Sequence, residues 1–189
     1  HIMRRRQRQM CIRDSTQPPQ KSHRGQKINK SPIQAISETL NIDYRTPKVL
    51  MDNHEEYEFL KELNADLAIV CAYGQIIPKN FLDLTKKGFV NIHASILPSW
   101  RGAAPIQRSI MNLDPETGIS IMKINEELDS GPVSNIYRMK IDQNQNAQEI
   151  SEKLSALAAK KILDNVDDIL KDKAKFIDQD HSCLLYTSD

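Results

Sequence analysis

The sequence predicts an α/β fold built on a mostly parallel sheet with flanking helices. Three observations carry this. Helical and strand periodicities alternate along the chain. Residues 66–72 form a continuous apolar run, the pattern of a strand buried on both faces of a parallel sheet. Residues 88–111 read as strand, tight polar loop and helix in direct succession.

The first helix is expected to start at Ser31, with Pro32 at its first position and Gln34 completing a capping box. Ile33, Ile36 and Leu40 form its apolar stripe. Pro47–Met51 is the next strand, and Asn53 with Glu56 opens a helix whose Tyr57, Leu60 and Leu63 face inward. After the apolar strand, Tyr73-Gly74 turns and Pro78 starts a short helix through Leu84. No GxGxxG follows any strand, so dinucleotide binding has no support.

In the central stretch, Phe89, Asn91 and His93 fall on one side of a strand by the two-residue period. An amide and an imidazole therefore project together. Ile96-Leu97-Pro98 ends the strand and Trp100-Arg101-Gly102 forms a tight loop. Helix follows from Ala103 to Met111, with Pro105 tolerated in the first turn. Gly118–Ile124 and Val133–Ile141 read as strands, and their connection carries Glu126, Glu127 and Asp129. Residues 147–170 are an amphipathic helix with Ile150, Leu154, Leu157, Ala158, Ile162 and Val166 on one stripe.

Net charge of +1 points to no partner, yet Arg4–Lys30 is strongly basic and nearly free of acids. That segment is either a solvated loop or a phosphate-contacting one, in which Lys21, Arg24, Lys27 and Lys30 follow a nucleic-acid backbone. No apolar run approaches the ~20 residues of a membrane span, and no signal-peptide pattern opens the chain. Gln9–Asp14 and Cys183–Ser188 can be encoded by DNA strings that are reverse complements offset by one base. They resemble a transposon tag used for sequencing libraries. Residues 1–15 and 183–189 are therefore expected to be tag read-through, outside the native domain. Cys71 is then the only native cysteine, so neither a disulfide framework nor a cysteine metal site is expected.

Taken alone, a strand histidine is more often a satisfied core residue, and Asp129-Ser130-Gly131 more often merely a turn. A resemblance joins them. Gly74, Pro78, Leu82, Gly88, Asn91, His93, Ser95, Leu97, Pro98, Arg101, Gly102 and Pro105 match, in order and spacing, the signature of the folate-dependent formyltransferases. It covers roughly residues 16–170. The run Trp100–Arg108 looks like members that act on methionyl initiator tRNA.

The resemblance implies a Rossmann-like fold, and transfer of a formyl group from 10-formyltetrahydrofolate to the α-amine of methionyl initiator tRNA. Asn91, His93 and Asp129 match the family's catalytic trio. Asp129 is expected to join the pair because parallel sheets gather strand ends on one edge. The pterin is expected against the loop Tyr73, Gly74, Gln75, Ile76, Ile77 and Pro78 and the backbone before Asp129. Apart from the family, Ile76 and Ile77 are equally plain core. Arg24 and Lys27 fall where members carry a basic tRNA-contacting loop, though His23 and Gln26 depart from that motif. Ser95 and Arg101 are expected to shape the loop or touch the acceptor. No metal is implied.

Members also have an earlier strand with a Gly-Thr-Pro turn and a C-terminal β-barrel that holds tRNA. Residues 16–182 are therefore expected to be a catalytic domain truncated at both ends, poorly stable and inactive by itself. The complete protein is expected to be a cytoplasmic monomer, or to lie in an organellar matrix if the source is eukaryotic. The other readings are a formyltransferase acting on a small amine, a non-catalytic RNA-binding remnant, and a partial read with no physiological protein of this length.

Overall fold

Ser31 caps the first helix as its sequence position predicts: its Oγ accepts the Gln34 N–H at 3.0 Å, and Pro32 opens helix α1, Pro32–Leu40. The computed structural model describes residues 12–21, 28–142 and 144–180. The chain divides into two units, His1–Leu63 with Tyr73–Ile77, and Asn64–Ala72 with Pro78–Asp189.

In the first unit, β1 (Asp14–Ser15) pairs in parallel with β4 (Tyr44–Arg45). β2 (Gln20–Lys21) pairs antiparallel with β3 (Ile28–Asn29). Asp14 and Ser15, which the tag reading sets outside the domain, thus take part in a ladder, and Asp14 Oδ2 accepts from Ser37 Oγ at 2.5 Å. The expected apolar stripe of α1 is not its buried face. Ile33, Ile36 and Leu40 are each 45% exposed or more, whereas Gln34 and Ser37 are buried. Polar bonds account for this: besides Asp14, Ser37 bonds Ile33 O, and Gln34 Nε2 donates to Glu38 and to Tyr44. The Gln34 side chain is therefore directed to those partners, and only the Ser31 half of the expected capping box forms.

The strand expected at Pro47–Met51 lies earlier, at Tyr44–Arg45. Pro47 has no N–H to give a ladder, and Leu50 and Met51 run into the turn before helix α2, His54–Leu63. Tyr57, Leu60 and Leu63 are half-buried. The buried side chain of α2 is Glu56, which Arg45 Nε holds at 2.7 Å while the Arg45 guanidinium lies over Phe59.

The second unit holds a four-stranded sheet in the order β5-β6-β7-β8: Ala68–Val70, Phe89–His93, Glu116–Lys123 and Val133–Lys140. β5 and β6 are parallel; β7 is antiparallel to both β6 and β8. The run 66–72 is strand only over three residues and is not buried on both faces: Ile69 is 47% exposed. β5 ends the strand order, and a terminal strand has a neighbour on one side only.

Short helix α3 (Lys79–Leu82) and α4 (Pro105–Met111) flank β6 in sequence. Helix α5, Ala147–Leu170, starts with a capping box between Asn146 and Glu149. Ile150, Leu154 and Ala158 pack with Ile92 and Ile119; Ile169 packs with Val90 and Ile121. These two clusters fix β6 and β7 from the α5 side. Beyond α5, Val133 and Ile177 exchange main-chain hydrogen bonds of 2.8 and 2.9 Å. Among the described residues, no helix is long and apolar enough to cross a membrane.

Candidate active site

The period of β6 carries Asn91 and His93 to one face, where their cross-strand partners are Met122 and Ser120. His93 is almost wholly buried. Because β7 runs antiparallel, its last residues return beside the start of β6, with Ile124 N–H donating to Phe89 O at 2.9 Å. Asp129 therefore does not reach the pair through a row of parallel strand ends. The loop 124–132 doubles back, and Lys123 N–H closes it on Pro132 O at 2.9 Å.

The trio then meets around one carboxylate. Asp129 Oδ1 accepts from Asn91 Nδ2 at 3.3 Å. Its Oδ2 accepts from Gly102 N–H at 2.9 Å and lies 3.4 Å from His93 Nδ1. The other imidazole nitrogen, Nε2, is 2.8 Å from Trp100 O. Both ring nitrogens thus face oxygen atoms, and the tautomer sets which of them donates. Asn91 has a second amide N–H to offer.

The backbone around these groups is held in conformations that ordinary residues rarely adopt. Asp129 has φ +46°, Trp100 +58° and Ala104 +58°. Such positions persist only where the surroundings over-determine them. Here the surroundings are polar and buried. Ser95, fully buried, donates from Oγ to Ser99 O at 2.6 Å. Ser120, also fully buried, donates to Ser95 O and accepts from Leu97 N–H, which anchors the turn containing the cis Leu97–Pro98 bond. Trp100 Nε1 donates to Asp114 at 2.7 Å. Arg101 is 2% exposed and gives two N–H groups to Gln179 Oε1, at 3.0 and 2.7 Å. Gln179 Nε2 in turn donates to Asp129 O and Gly131 O, at 2.9 and 2.7 Å.

Ser95 and Arg101 therefore turn inward and shape the loop, which favours that half of their expected role. Sequence reasoning missed Ser120 and Gln179. Ser120 was hidden by lying within an alternating strand, and Gln179 by lying beyond the last periodic element. A buried arginine requires an acceptor, and that was the one available signal for Gln179.

The loop Tyr73–Ile77 belongs to the first unit and is described there. Gln17 Nε2 donates to Tyr73 O at 2.8 Å, and Gln75 Nε2 to Pro47 O at 3.2 Å. Gly74 has φ +72°, and a Cβ there would lie 2.4 Å from Gln17 Nε2. Ile76 is 79% exposed, so it is not core; Ile77 is half-buried. Burial pushes the Tyr73 phenol above the usual tyrosine pKa, with Ser15 acting the other way. Pro78 is buried in the second unit, where Lys79 pairs with Glu126 at 2.5 Å. That hydrogen-bonded pairing raises the Lys79 ammonium above its ordinary pKa.

Arg24 and Lys27 lie outside the described residues. Lys30, of the same basic segment, donates to Glu38 at 2.6 Å, which raises the lysine pKa and lowers that of the glutamate. Among the described residues, no group of three His, Cys, Asp or Glu is arranged to hold a metal ion.

Comparison with known proteins gives this geometry a setting. The family described as Formyl transferase matches residues 4–166. The methionyl-tRNA formyltransferase of Pelagibacter ubique (strain HTCC1062) is 66% identical over 173 residues, 92% of this chain and 56% of the relative. That of Prochlorococcus marinus (strain MIT 9312) is 47% identical over 148 residues, 78% of this chain and 45% of the relative. The chain thus spans about half the length of the curated relatives it matches.

Two solved structures agree in fold. The formyltransferase PseJ from Anoxybacillus kamchatkensis, solved with a formamido nucleotide sugar and tetrahydrofolate, has a TM-score of 0.67 at 20% identity, over 93% of this chain and 85% of that one. The phosphoribosylglycinamide formyltransferase of Anaplasma phagocytophilum has a TM-score of 0.69 at 21% identity, over 82% and 80%. With the matched region extending over most of its length, the chain belongs to the formyl transferase family.

Proposed function

We propose that this chain carries the catalytic domain of an enzyme that moves a formyl group from 10-formyltetrahydrofolate to the α-amine of methionyl initiator tRNA. The observation that carries the reading is the 66% identity to a methionyl-tRNA formyltransferase over a region that includes Asn91, His93 and Asp129. In this reading residues 16–182 are the native part of that domain.

Each residue then has a role its geometry supports. Asn91 and His93 donate hydrogen bonds to the formyl oxygen as the amine nitrogen adds to the formyl carbon and that oxygen gains negative charge. Such donors are most effective when fixed in advance, as the buried His93 is. Asp129 lies beside His93 Nδ1 and keeps the ring oriented. Its carboxylate, beside Asn91 and His93, would also accept a proton from the adding amine, directly or through water. The carbon–N10 bond then breaks and N10 takes up a proton, leaving a formamide on the acceptor and tetrahydrofolate. Trp100 O, which faces Nε2 here, must share or yield that nitrogen to the formyl oxygen.

For the donor, Ile76 supplies an exposed apolar side chain on a loop tied down at Tyr73 and Gln75, which suits the wall of a pterin site. Gln75 and the loop's main-chain groups would read its polar edge. For the acceptor, Arg24 and Lys27 would contact tRNA phosphates.

The test is transfer of labelled formyl from the folate donor to methionyl initiator tRNA, against small amines, by the full-length protein. Preferential labelling of the tRNA is expected. Labelling of a small amine with none of the tRNA would overturn the reading.

A further inference from the structure

We propose that Gln179 is a positioning residue for Asp129. Its side-chain amide joins the two loops that surround His93. On one side its Nε2 donates to the carbonyls of Asp129 and Gly131; on the other its Oε1 accepts both N–H groups from Arg101. Arg101 sits between Trp100, whose carbonyl faces His93 Nε2, and Gly102, whose amide binds the Asp129 carboxylate. One amide therefore uses both of its functional ends, donor and acceptor, to fix the groups that set the orientation of the histidine.

Two features make the placement specific. The main-chain exchange between Val133 and Ile177 anchors the segment to the edge of β8, and Gln179 follows two residues later. Asp129 is a non-glycine residue at φ +46°, so its conformation has to be held from outside. The bonds that Gln179 Nε2 donates to the carbonyls of Asp129 and Gly131 do this directly. Gln179 and Arg101 are 7% and 2% exposed, so water does not readily replace these bonds.

The geometric claim stands apart from the substrate; its catalytic consequence rests on the formyl-transfer reading. Two substitutions separate the possibilities. Gln179→Met keeps the volume and removes both donor and acceptor. Gln179→Glu keeps an acceptor for Arg101 and removes the donors to Asp129 and Gly131. Amide hydrogen exchange at Gly102 reports whether the Asp129 carboxylate is in place, and the β6–β7 ladder reports general stability.

In both variants, Gly102 exchange is expected to rise at least tenfold with the ladder unchanged. In the full-length enzyme, kcat is expected to fall about 100-fold with KM for folate little changed, the scale of a small misplacement. Unchanged Gly102 exchange, an equal rise across the ladder, or a Gln179→Glu variant that behaves as wild type would each overturn the proposal. If the wild-type enzyme transfers no formyl group, the functional reading fails, and the exchange measurement still decides the role of Gln179.

Discussion

His93 Nδ1 lies 3.4 Å from Asp129 Oδ2, and the same carboxylate oxygen accepts the Gly102 amide at 2.9 Å. The carboxylate is therefore oriented by a backbone donor and does not depend on the histidine for its position. Removing the imidazole should leave Asp129 and the loop where they are. His93→Ala is expected to lower turnover by about 100- to 1,000-fold, the loss of one oxyanion donor, while folate affinity stays close to wild type. Single-turnover kinetics with separately measured folate binding checks this. Turnover near wild type would remove His93 from the chemistry.

In the proposed function Arg24 contacts tRNA phosphate and not the reacting carbon. Arg24→Ala should raise KM for tRNA and reduce the slope of log affinity against log salt by about one. Formyl transfer to a small amine analogue, where it can be measured, should be unaffected. Salt titrations of tRNA binding by wild type and variant provide the comparison. Identical slopes and identical tRNA kinetics would return Arg24 to a solvated loop.

The parts of the fold legible in the sequence are those set by local rules. The Ser31 cap, the alternation through β6, the proline at the start of α4 and the long stripe of α5 depend on near neighbours in the chain. The errors arose where partners decide. Ile33, Ile36 and Leu40 have helical spacing, but a period names a face and not what covers it. Residues 66–72 have the composition of an interior strand, yet β5 ends the strand order. Asp129 was placed correctly in the loop after β7, though by a parallel-sheet argument that the antiparallel β6–β7 pairing replaces. The family resemblance named Asn91, His93 and Asp129 together, while the bonds that Ser120 makes to the turn after β6 and Gln179 to the Asp129 carbonyl come from residues far away in sequence.

Two glycines allow backbone fit to be separated from catalytic fit. A Cβ on Gly131 would lie 2.0 Å from Lys123 O, and one on Gly118 would lie 2.3 Å from Tyr137 O. Both obstacles are main-chain atoms, so neither can be relieved by rotating a side chain. Each alanine should therefore displace backbone and cost about 1–3 kcal/mol of stability, as overpacking does. The two sites differ in what moves. Gly118 pairs with Arg138 within the β7–β8 ladder, away from the trio, so its displacement is absorbed along the sheet. Gly131 is two residues from Asp129, and its carbonyl shares Gln179 with that residue. Urea unfolding should show comparable losses for Gly131→Ala and Gly118→Ala. Turnover measured well below either unfolding midpoint should fall at least tenfold for Gly131→Ala and stay within about twofold of wild type for Gly118→Ala, because only the first shifts the carboxylate relative to His93. Equal turnover in the two variants would show that Asp129 keeps its place independently of the Gly131 backbone.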